Sequence, residues 1–256
     1  MSVQSIYRWH AGVLEPLDYC DMTDVQIVAA DSWLVTDGTA LALDLHRSRF
    51  LESIEHSVGL IGDPTQFWDA ALEQIPRDGD WFPRVELHSN GRFVLRLRTA
   101  PERTRSVVLA TFAGPDPRTH PSRKGPDLEA MLRIRTSVRP ADEAVIVSPE
   151  GAVIEGAYSA LVWWRGEILC CPSAELHRVD SVTARALLTL ARALGFDTHE
   201  ESVPPHDLDS TELWALSALH GIRIATKWID GPALAERPGR LQVWRGRLDA
   251  LRRPLP

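Results

Sequence analysis

Apolar residues recur every three or four positions in four segments, the spacing that places them along one side of an α-helix. This pattern predicts helices over Leu43 to Val58, Pro64 to Ile75, Leu128 to Val138 and Val182 to Leu194. Between these segments, short apolar stretches surround pairs of residues that contain glycine, which predicts antiparallel hairpins. The pairs are Asp37-Gly38, Asn90-Gly91, Glu150-Gly151, Arg165-Gly166 and Asp230-Gly231. We therefore predict an α+β fold with antiparallel-rich sheets and flanking helices.

One segment has the composition of a linker. AGPDPRTHPSR, residues 113–123, contains three prolines and a glycine after an apolar stretch that ends at Phe112. The sequence therefore predicts an N-terminal domain over residues 1–112, a linker over 113–123 and a C-terminal domain over 124–256.

Composition and charge exclude several classes of protein. The 256 residues include 44% apolar residues and nine tryptophans, enough to bury a sizeable core. A net charge of -7 argues against binding to nucleic acid. There is no apolar run of signal or membrane-spanning length, so we expect a cytoplasmic protein without a membrane partner. Cys20, Cys170 and Cys171 suit neither a disulfide framework nor a metal site, and we predict that they fill the core.

Common catalytic motifs are missing from the sequence. There is no G-x-G-x-x-G, P-loop, H-E-x-x-H, G-x-S-x-G or paired C-x-x-C motif, and the nine histidines form no i, i+4 pair. The usual support for nucleotide, zinc and serine-hydrolase sites is therefore lacking, and we predict no metal.

Lysine is rare in this chain. There are 26 arginines but only two lysines, Lys124 in SRKGPD and Lys227. A lysine can lose its proton and attack a carbonyl to form a Schiff base, whereas a guanidinium stays protonated. Lys124 is therefore a candidate nucleophile, although both lysines could equally be ordinary surface cations. We assign Lys227 no role.

A lysine that binds pyridoxal phosphate needs an anion site for the phosphate and a carboxylate for the ring nitrogen. Ser181, Val182 and Thr183 begin an amphipathic helix whose free N–H groups could bind phosphate, or Ser181 could be only an N-cap. Glu155 lies in the apolar segment EGAVIEGAYSALVWW, where a protonated ring nitrogen would be a suitable partner. It could also face outward or pair with an arginine.

Arginines and a histidine offer further contacts to anions. In HRSRF, Arg47 and Arg49 could bind the phosphate or belong to a solvated helix face. In RFVLRLR, strand alternation places Arg96 and Arg98 on one face, where either could bind a substrate carboxylate or simply face solvent. His220, beside Gly221, is a similar candidate for substrate binding.

Taken in order, these segments resemble the class-IV aminotransferases. The similar segments are LHRSRF, Lys124, VIEGAYSAL, SVTARALLTLARALG and a Leu-Trp strand before SALHGIR, and they span residues 24 to 232 approximately. Lys124 and Glu155 lie 31 residues apart, a separation close to that in the family. The family comprises pyridoxal-phosphate enzymes of fold type IV, including D-amino-acid and branched-chain aminotransferases, (R)-amine transaminases and 4-amino-4-deoxychorismate lyases.

The resemblance implies a two-domain, D-amino-acid aminotransferase-like fold and a set of roles. Lys124 would bind pyridoxal 5′-phosphate as an aldimine and move the proton between the substrate Cα and C4′ of the cofactor. Glu155 would hold the pyridine nitrogen, and Arg49 would hold the phosphate together with Val182 and Thr183. Members of the family are usually homodimers whose partner contributes to the substrate pocket.

The chain departs from the family pattern in three places. IVAADSWLVTDG stands where a glycine-rich YGDGxFE-like element is common, and the N-terminal domain is short, so substrate specificity does not carry over. Ala218 and Leu219 occupy the region of a phosphate-binding hydroxyl, with Ser217 as the candidate replacement. No tyrosine is assigned to the cofactor phenolate, although Tyr158 lies close to Glu155 in sequence.

The resemblance implies an aminotransferase that acts on a small amine or amino acid and a keto acid. One alternative is a 4-amino-4-deoxychorismate lyase, which releases pyruvate without a keto co-substrate. A second alternative is a non-catalytic scaffold that keeps the fold. We predict the aminotransferase, because a scaffold has no need of a lysine at position 124.

Overall fold

The computed structural model describes residues 4–17 and 25–256, so the predicted core residue Cys20 lies outside it. Contacts divide the chain into two units. The first contains the described residues up to Glu102 together with Arg123–Pro126 and Leu251–Pro256. The second contains Arg103–Ser122 and Asp127–Ala250. Lys124 therefore belongs to the first unit, and most of the predicted linker belongs to the second.

The strands and helices of the described residues have the following bounds. The strands are β1 Gln4–His10, β2 Val13–Pro16, β3 Ile27–Ser32, β4 Val35–Thr36, β5 Thr39–Ala40, β6 Asp80–Trp81, β7 Arg84–His88, β8 Phe93–Arg98, β9 Ser106–Thr111, β10 Glu143–Val147, β11 Val153–Gly156, β12 Ala160–Arg165, β13 Ile168–Pro172, β14 Thr198–Glu201, β15 Glu212–Ser217, β16 Gly221–Ile229 and β17 Arg253–Pro254. The helices are α1 Leu43–Ile54, α2 Pro64–Glu73, α3 Leu128–Ser137, α4 Val182–Ala193 and α5 Arg240–Asp249, with a 3-10 turn at Pro205–Leu208.

The first unit is built on an antiparallel sheet with the strand order β2-β1-β8-β7-β3. Strand alternation directs Leu95 and Leu97 of β8 into an aromatic core that includes Trp33, Phe50 and Phe67. A smaller antiparallel sheet has the order β17-β5-β4-β6. Because α1 packs on β3, the side chains that α1 directs inward lie beside that strand.

The second unit contains a mixed sheet with the order β11-β10-β9-β16-β15-β12-β13-β14. β9 pairs in parallel with β10 and β16, and β13 pairs in parallel with β14, whereas the other neighbours are antiparallel. Strand β9, which precedes the predicted linker, is thus part of this sheet. Cys170 and Cys171 of β13 are free and buried, as predicted.

The hydrophobic pattern predicted α1 to α4 with ends that differ from the structure by a few residues at most. Helix α5 was not predicted, because its sequence RLQVWRGRLD buries only Trp244 and Leu248 and leaves no clear apolar stripe. Four of the five glycine pairs join antiparallel strands as expected. The prediction for Asp230-Gly231 was wrong, since the turn after β16 leads by an irregular segment to α5. In the described ranges, no helix is long and apolar enough to cross a membrane.

Candidate active site

The main chain around Lys124 is fixed against strand β3 of the first unit. The Ala30 N–H donates a hydrogen bond of 2.8 Å to the Lys124 carbonyl oxygen. Gly125 has a φ of +133°, and a Cβ at this position would lie 2.6 Å from the Ala30 nitrogen. Only glycine fits so close to the strand, and this contact determines where the Lys124 side chain begins.

The buried carboxylate of Asp31 on β3 holds two side chains of helix α1. Arg49 donates from Nε to Oδ2 at 2.7 Å and from Nη2 to Oδ1 at 2.8 Å, and His46 Nδ1 lies 2.7 Å from Oδ1. Burial alone would raise the pKa of Asp31, but the charge of Arg49 and the hydrogen bonds of Arg49 and His46 hold that pKa well below its usual range. The first unit therefore contains an ionised Asp31 that fixes the guanidinium of Arg49.

His46 is neutral in this arrangement. Burial has the largest effect and lowers the pKa of the ring, and the positive charges of Arg49 and Lys124 lower it further against the attraction of Asp31. Since Nδ1 contacts a carboxylate, the proton of the neutral ring lies on Nδ1. The charges of Lys124 and Arg49 thus both act on the His46 ring.

Arg96 and Arg98 belong to a second charged cluster, built on the fully buried Glu86 of β7. Arg96 Nε donates to Glu86 Oε1 at 2.7 Å, and His88 Nε2 lies 2.7 Å from Oε2. Burial opposes ionisation of Glu86, but the hydrogen bond of His88 and the charges of Arg84 and Arg96 lower its pKa to about 2. The face of β8 that carries Arg96 therefore belongs to a buried ion-pair cluster and is not a solvated surface, since the Arg96 side chain is only 14% exposed.

Two further contacts define this second cluster. Arg98 donates to the Phe82 carbonyl oxygen at 3.0 Å and stacks over the Phe82 ring. Burial, reinforced by the charge of Arg84, lowers the pKa of Arg98 to about 10. Glu86 lies opposite Ala30 in the register of β3 and β7. The cluster is therefore on the part of the sheet where Ala30 binds the main chain of Lys124.

In the second unit, Glu155 of β11 is buried and bound to an arginine. Arg118 Nη1 donates to Glu155 Oε1 in a short contact, and the Val179 N–H lies 3.4 Å from the same oxygen. Glu155 is thus buried, as predicted. It is also paired with an arginine, which is one of the alternatives that the sequence left open. The contact with Val179 joins Glu155 to the segment that leads into α4.

Helix α4 begins with the predicted capping residue. Ser181 Oγ accepts a hydrogen bond of 3.2 Å from the Ala184 N–H, and Val182 and Thr183 are buried. A cavity of about 250 Å³ in the second unit is lined by β12, β13 and residues that include Ser122, Val179, Ser181 and Arg185. The N-terminus of α4 therefore borders a space that could admit a small anion.

Ser217 and His220 are joined at the turn between β15 and β16. The His220 N–H donates to Ser217 Oγ at 3.2 Å, and the Thr104 N–H donates to His220 Nδ1 at 3.1 Å. Burial, reinforced by Arg223 and three other arginines, lowers the pKa of His220 to about 4. The ring is therefore neutral near pH 7, with its proton on Nε2.

The sequence did not reveal Asp31 as the partner of Arg49 or Arg118 as the partner of Glu155. Asp31 is a lone carboxylate in the apolar segment IVAADSW. Glu155 was identified by the same pattern, so the sequence could also have identified Asp31. Arg118 lies in a proline-rich segment that is typical of a linker. In the structure Asp127 accepts hydrogen bonds from the backbone of Thr119 and His120, which ties this segment to α3.

Comparisons with known proteins show the family and the fold of the chain. The sequence matches the family amino-transferase class IV over residues 29–228, and a search of curated proteins found no match. Similar solved structures include a hypothetical aminotransferase from Mycobacterium tuberculosis with α-ketoglutarate and PMP bound, at 20% identity and a TM-score of 0.80, covering 96% of this chain and 98% of that one.

Two more structures share the fold. A fold IV-transaminase from Curtobacterium pusillum is 17% identical with a TM-score of 0.77, covering 97% of this chain and 98% of that one. An aminotransferase from Brucella abortus bound to the cofactor PLP is 16% identical with a TM-score of 0.75, covering 96% and 98%. These likenesses confirm the predicted fold.

Replacing Asp31 by asparagine leaves the charge of Arg49 without its buried counter-ion. We expect Asp31→Asn to lower the free energy of unfolding by about 3–5 kcal/mol at pH 7 in urea titrations. Asp69→Asn, at an exposed position of α2, is the matched control and should change little. Because the pKa of Asp31 is depressed on folding, its contribution is present above about pH 4 and is lost at lower pH. A constant difference between wild type and Asp31→Asn down to pH 2 would contradict this account.

Protonation of His220 should weaken the fold in mild acid. Its pKa is about 4 in the folded protein and about 6.5 when unfolded, so only the unfolded chain gains this proton as the pH falls between those values. Stability should therefore decrease from pH 6.5 to 4, and His220→Gln should reduce that slope in urea titrations. His46 contributes in the same direction and is unchanged in the variant. His206→Gln, at an exposed histidine, should keep the wild-type slope, and an equal slope in His220→Gln would refute the assignment.

Proposed function

Because the chain belongs to the amino-transferase class IV family, we propose that it uses pyridoxal 5′-phosphate to move an amino group between an amino acid or amine and a keto acid. The ligands of similar structures support this proposal, since the Mycobacterium tuberculosis protein binds α-ketoglutarate and PMP and the Brucella abortus protein binds PLP. The observation that carries it is the placement of Lys124. Its main chain is fixed to β3, and its charge acts on a site with an immobilised arginine, Arg49.

Each unit, taken by itself, contains residues whose chemistry suits the proposed cofactor. Its phosphate would need N–H donors and a cation, which the start of α4 and Arg49 could supply. Its ring nitrogen would need an ionised carboxylate, and Glu155 is buried beside an arginine. Asp116, Arg118 and Glu155 together carry one positive and two negative charges, so a cationic partner would balance the group.

We assign the following roles to the residues of this chain. Lys124 would hold the cofactor through Nζ, and Glu155 would hold the proton at the ring nitrogen. Arg49, Ser181, Val182 and Thr183 would bind the phosphate, with Ser217 as a further donor. The bound cofactor would supply an electron sink that stabilises a carbanion at the substrate carbon.

Proton transfer and substrate orientation would fall to a few side chains. Once a substrate amine has displaced it, the Lys124 amine would take up the proton from the substrate carbon and deliver it to C4′ of the cofactor. His220, which is neutral and protonated on Nε2, would donate a hydrogen bond and could not act as a cation near pH 7. Arg96 or Arg98 would contact a substrate carboxylate. Assembly as a homodimer stays a prediction of the family resemblance.

Substitution of the two lysines by arginine tests this proposal. Lys124→Arg keeps the positive charge but removes the nucleophile, so we expect loss of the visible absorbance of bound pyridoxal phosphate and a fall in transamination of about 10⁴-fold or more. Lys227→Arg, at an exposed position of β16, is the matched control and should retain both.

The readouts are absorbance after addition of pyridoxal phosphate and consumption of a keto acid with a panel of amino acids and amines. Equal absorbance and activity in Lys124→Arg and wild type would refute the assignment of Lys124. Release of pyruvate from a chorismate-derived amine without a keto acid would instead support the lyase.

A further inference from the structure

Arg118 is buried at the centre of the charged group that contains Glu155. Its side chain is 3% exposed. Nη1 donates to Glu155 Oε1, Nη2 donates to Asp116 Oδ2 at 2.6 Å, and Nε donates to Asp116 Oδ1 at 2.9 Å. A further contact of 3.3 Å joins Nη2 to the His177 carbonyl oxygen. The guanidinium thus binds both carboxylates at once, in directions that its planar fork allows.

Burial makes a cation necessary for Glu155. Glu155 lies in strand β11, whose residues are all buried, and its side chain is 10% exposed. A carboxylate withdrawn from water takes up a proton at ordinary pH unless a cation or several donors stabilise its charge. Arg118 supplies a cation in direct contact with this carboxylate, and the Val179 N–H lies 3.4 Å from the same oxygen.

The position of Arg118 is itself fixed. Asp116 lies two residues earlier, between Pro115 and Pro117, and accepts hydrogen bonds from the guanidinium through both carboxylate oxygens. Prolines restrict the backbone on either side of Asp116, so little conformational freedom is lost when Asp116 binds the guanidinium. Burial acts to lower the pKa of Arg118, but the hydrogen bond to Asp116 and the charges of Glu155 and Asp116 raise it, so the side chain stays charged.

We propose that Arg118 is a positioning residue that keeps Glu155 ionised and directed at the ring nitrogen of the cofactor, with Asp116 fixing Arg118. The claim that Glu155 is directed at the ring nitrogen rests on the proposed function. The ionisation of Glu155 by Arg118 is independent of it and applies to the protein without cofactor. Arg118 would act through Glu155 and need not touch the cofactor.

The affinity for pyridoxal phosphate as a function of pH tests this inference. In wild type, Glu155 should be ionised throughout pH 6 to 8 and should add no proton-linked change to the Kd. In Arg118→Met, Glu155 should bind a proton in this range, and the Kd should rise as the pH falls, by up to about tenfold per pH unit. Titration by absorbance at several pH values gives both curves. Arg118→Lys should recover part of the affinity at low pH.

Two controls separate this role from a structural one. Arg165→Met removes another arginine of the second unit that binds a glutamate, Glu201, and should keep the wild-type pH dependence. Glu155→Gln removes the group that titrates, so Arg118→Met should add no pH dependence to it. A merely structural role for Arg118 would weaken binding equally at every pH, and that result would overturn the inference.

A measurement without cofactor distinguishes failure of this inference from failure of the proposed function. In protein labelled with ¹³C-glutamate, the Glu155 carboxyl signal can be assigned by its loss in Glu155→Gln. We expect it to titrate at higher pH in Arg118→Met than in wild type, and an unchanged titration would overturn the ionising role. If wild type binds no pyridoxal phosphate, the ring-nitrogen role and the proposed function are both wrong, whereas this titration still decides the role of Arg118.

Discussion

A carboxylate buried in a protein interior must be paired with a cation or take up a proton, and this constraint organises the charged sites of both units. Asp31 is paired with Arg49, Glu86 with Arg96 and Glu155 with Arg118. A guanidinium offers several donors in a plane and stays charged when buried, which suits it to these positions better than an ammonium. The frequent use of arginine in this chain is therefore consistent with the number of acidic side chains that it buries.

Glu143 shows what happens when the pairing is looser. It is 1% exposed, and its nearest cation is Arg223, with Nη2 3.6 Å from Oε2. Burial has the largest effect and raises the pKa of Glu143 despite the charge of Arg223 and the hydrogen bond of Ser159. At Asp31, two side chains approach within 2.7 Å and the shift is downward. The distance and number of donors thus decide whether a buried acid is ionised.

The sequence predicted the parts of the fold and site that depend on local pattern. The helices α1 to α4 each bury a stripe of residues that recurs with helical period, and turn glycines identified four hairpins. Glu155 was found because a lone carboxylate in an apolar segment must be satisfied by a partner. The partners themselves were not predictable, because Arg49 lies 18 residues from Asp31 and Arg118 lies 37 residues from Glu155. Such pairs form only when the strands and the segment before α3 are assembled.

The two lysines, alike in the sequence, differ in the structure. Lys227 is exposed on β16, whereas Lys124 is partly buried and its main chain is held by β3. The most direct test of the central claim is reduction of the protein with borohydride in the presence of pyridoxal phosphate, followed by peptide mapping by mass spectrometry. The account predicts a pyridoxyl group on the peptide that contains Lys124. Attachment at Lys227, or no attachment at either lysine, would contradict it.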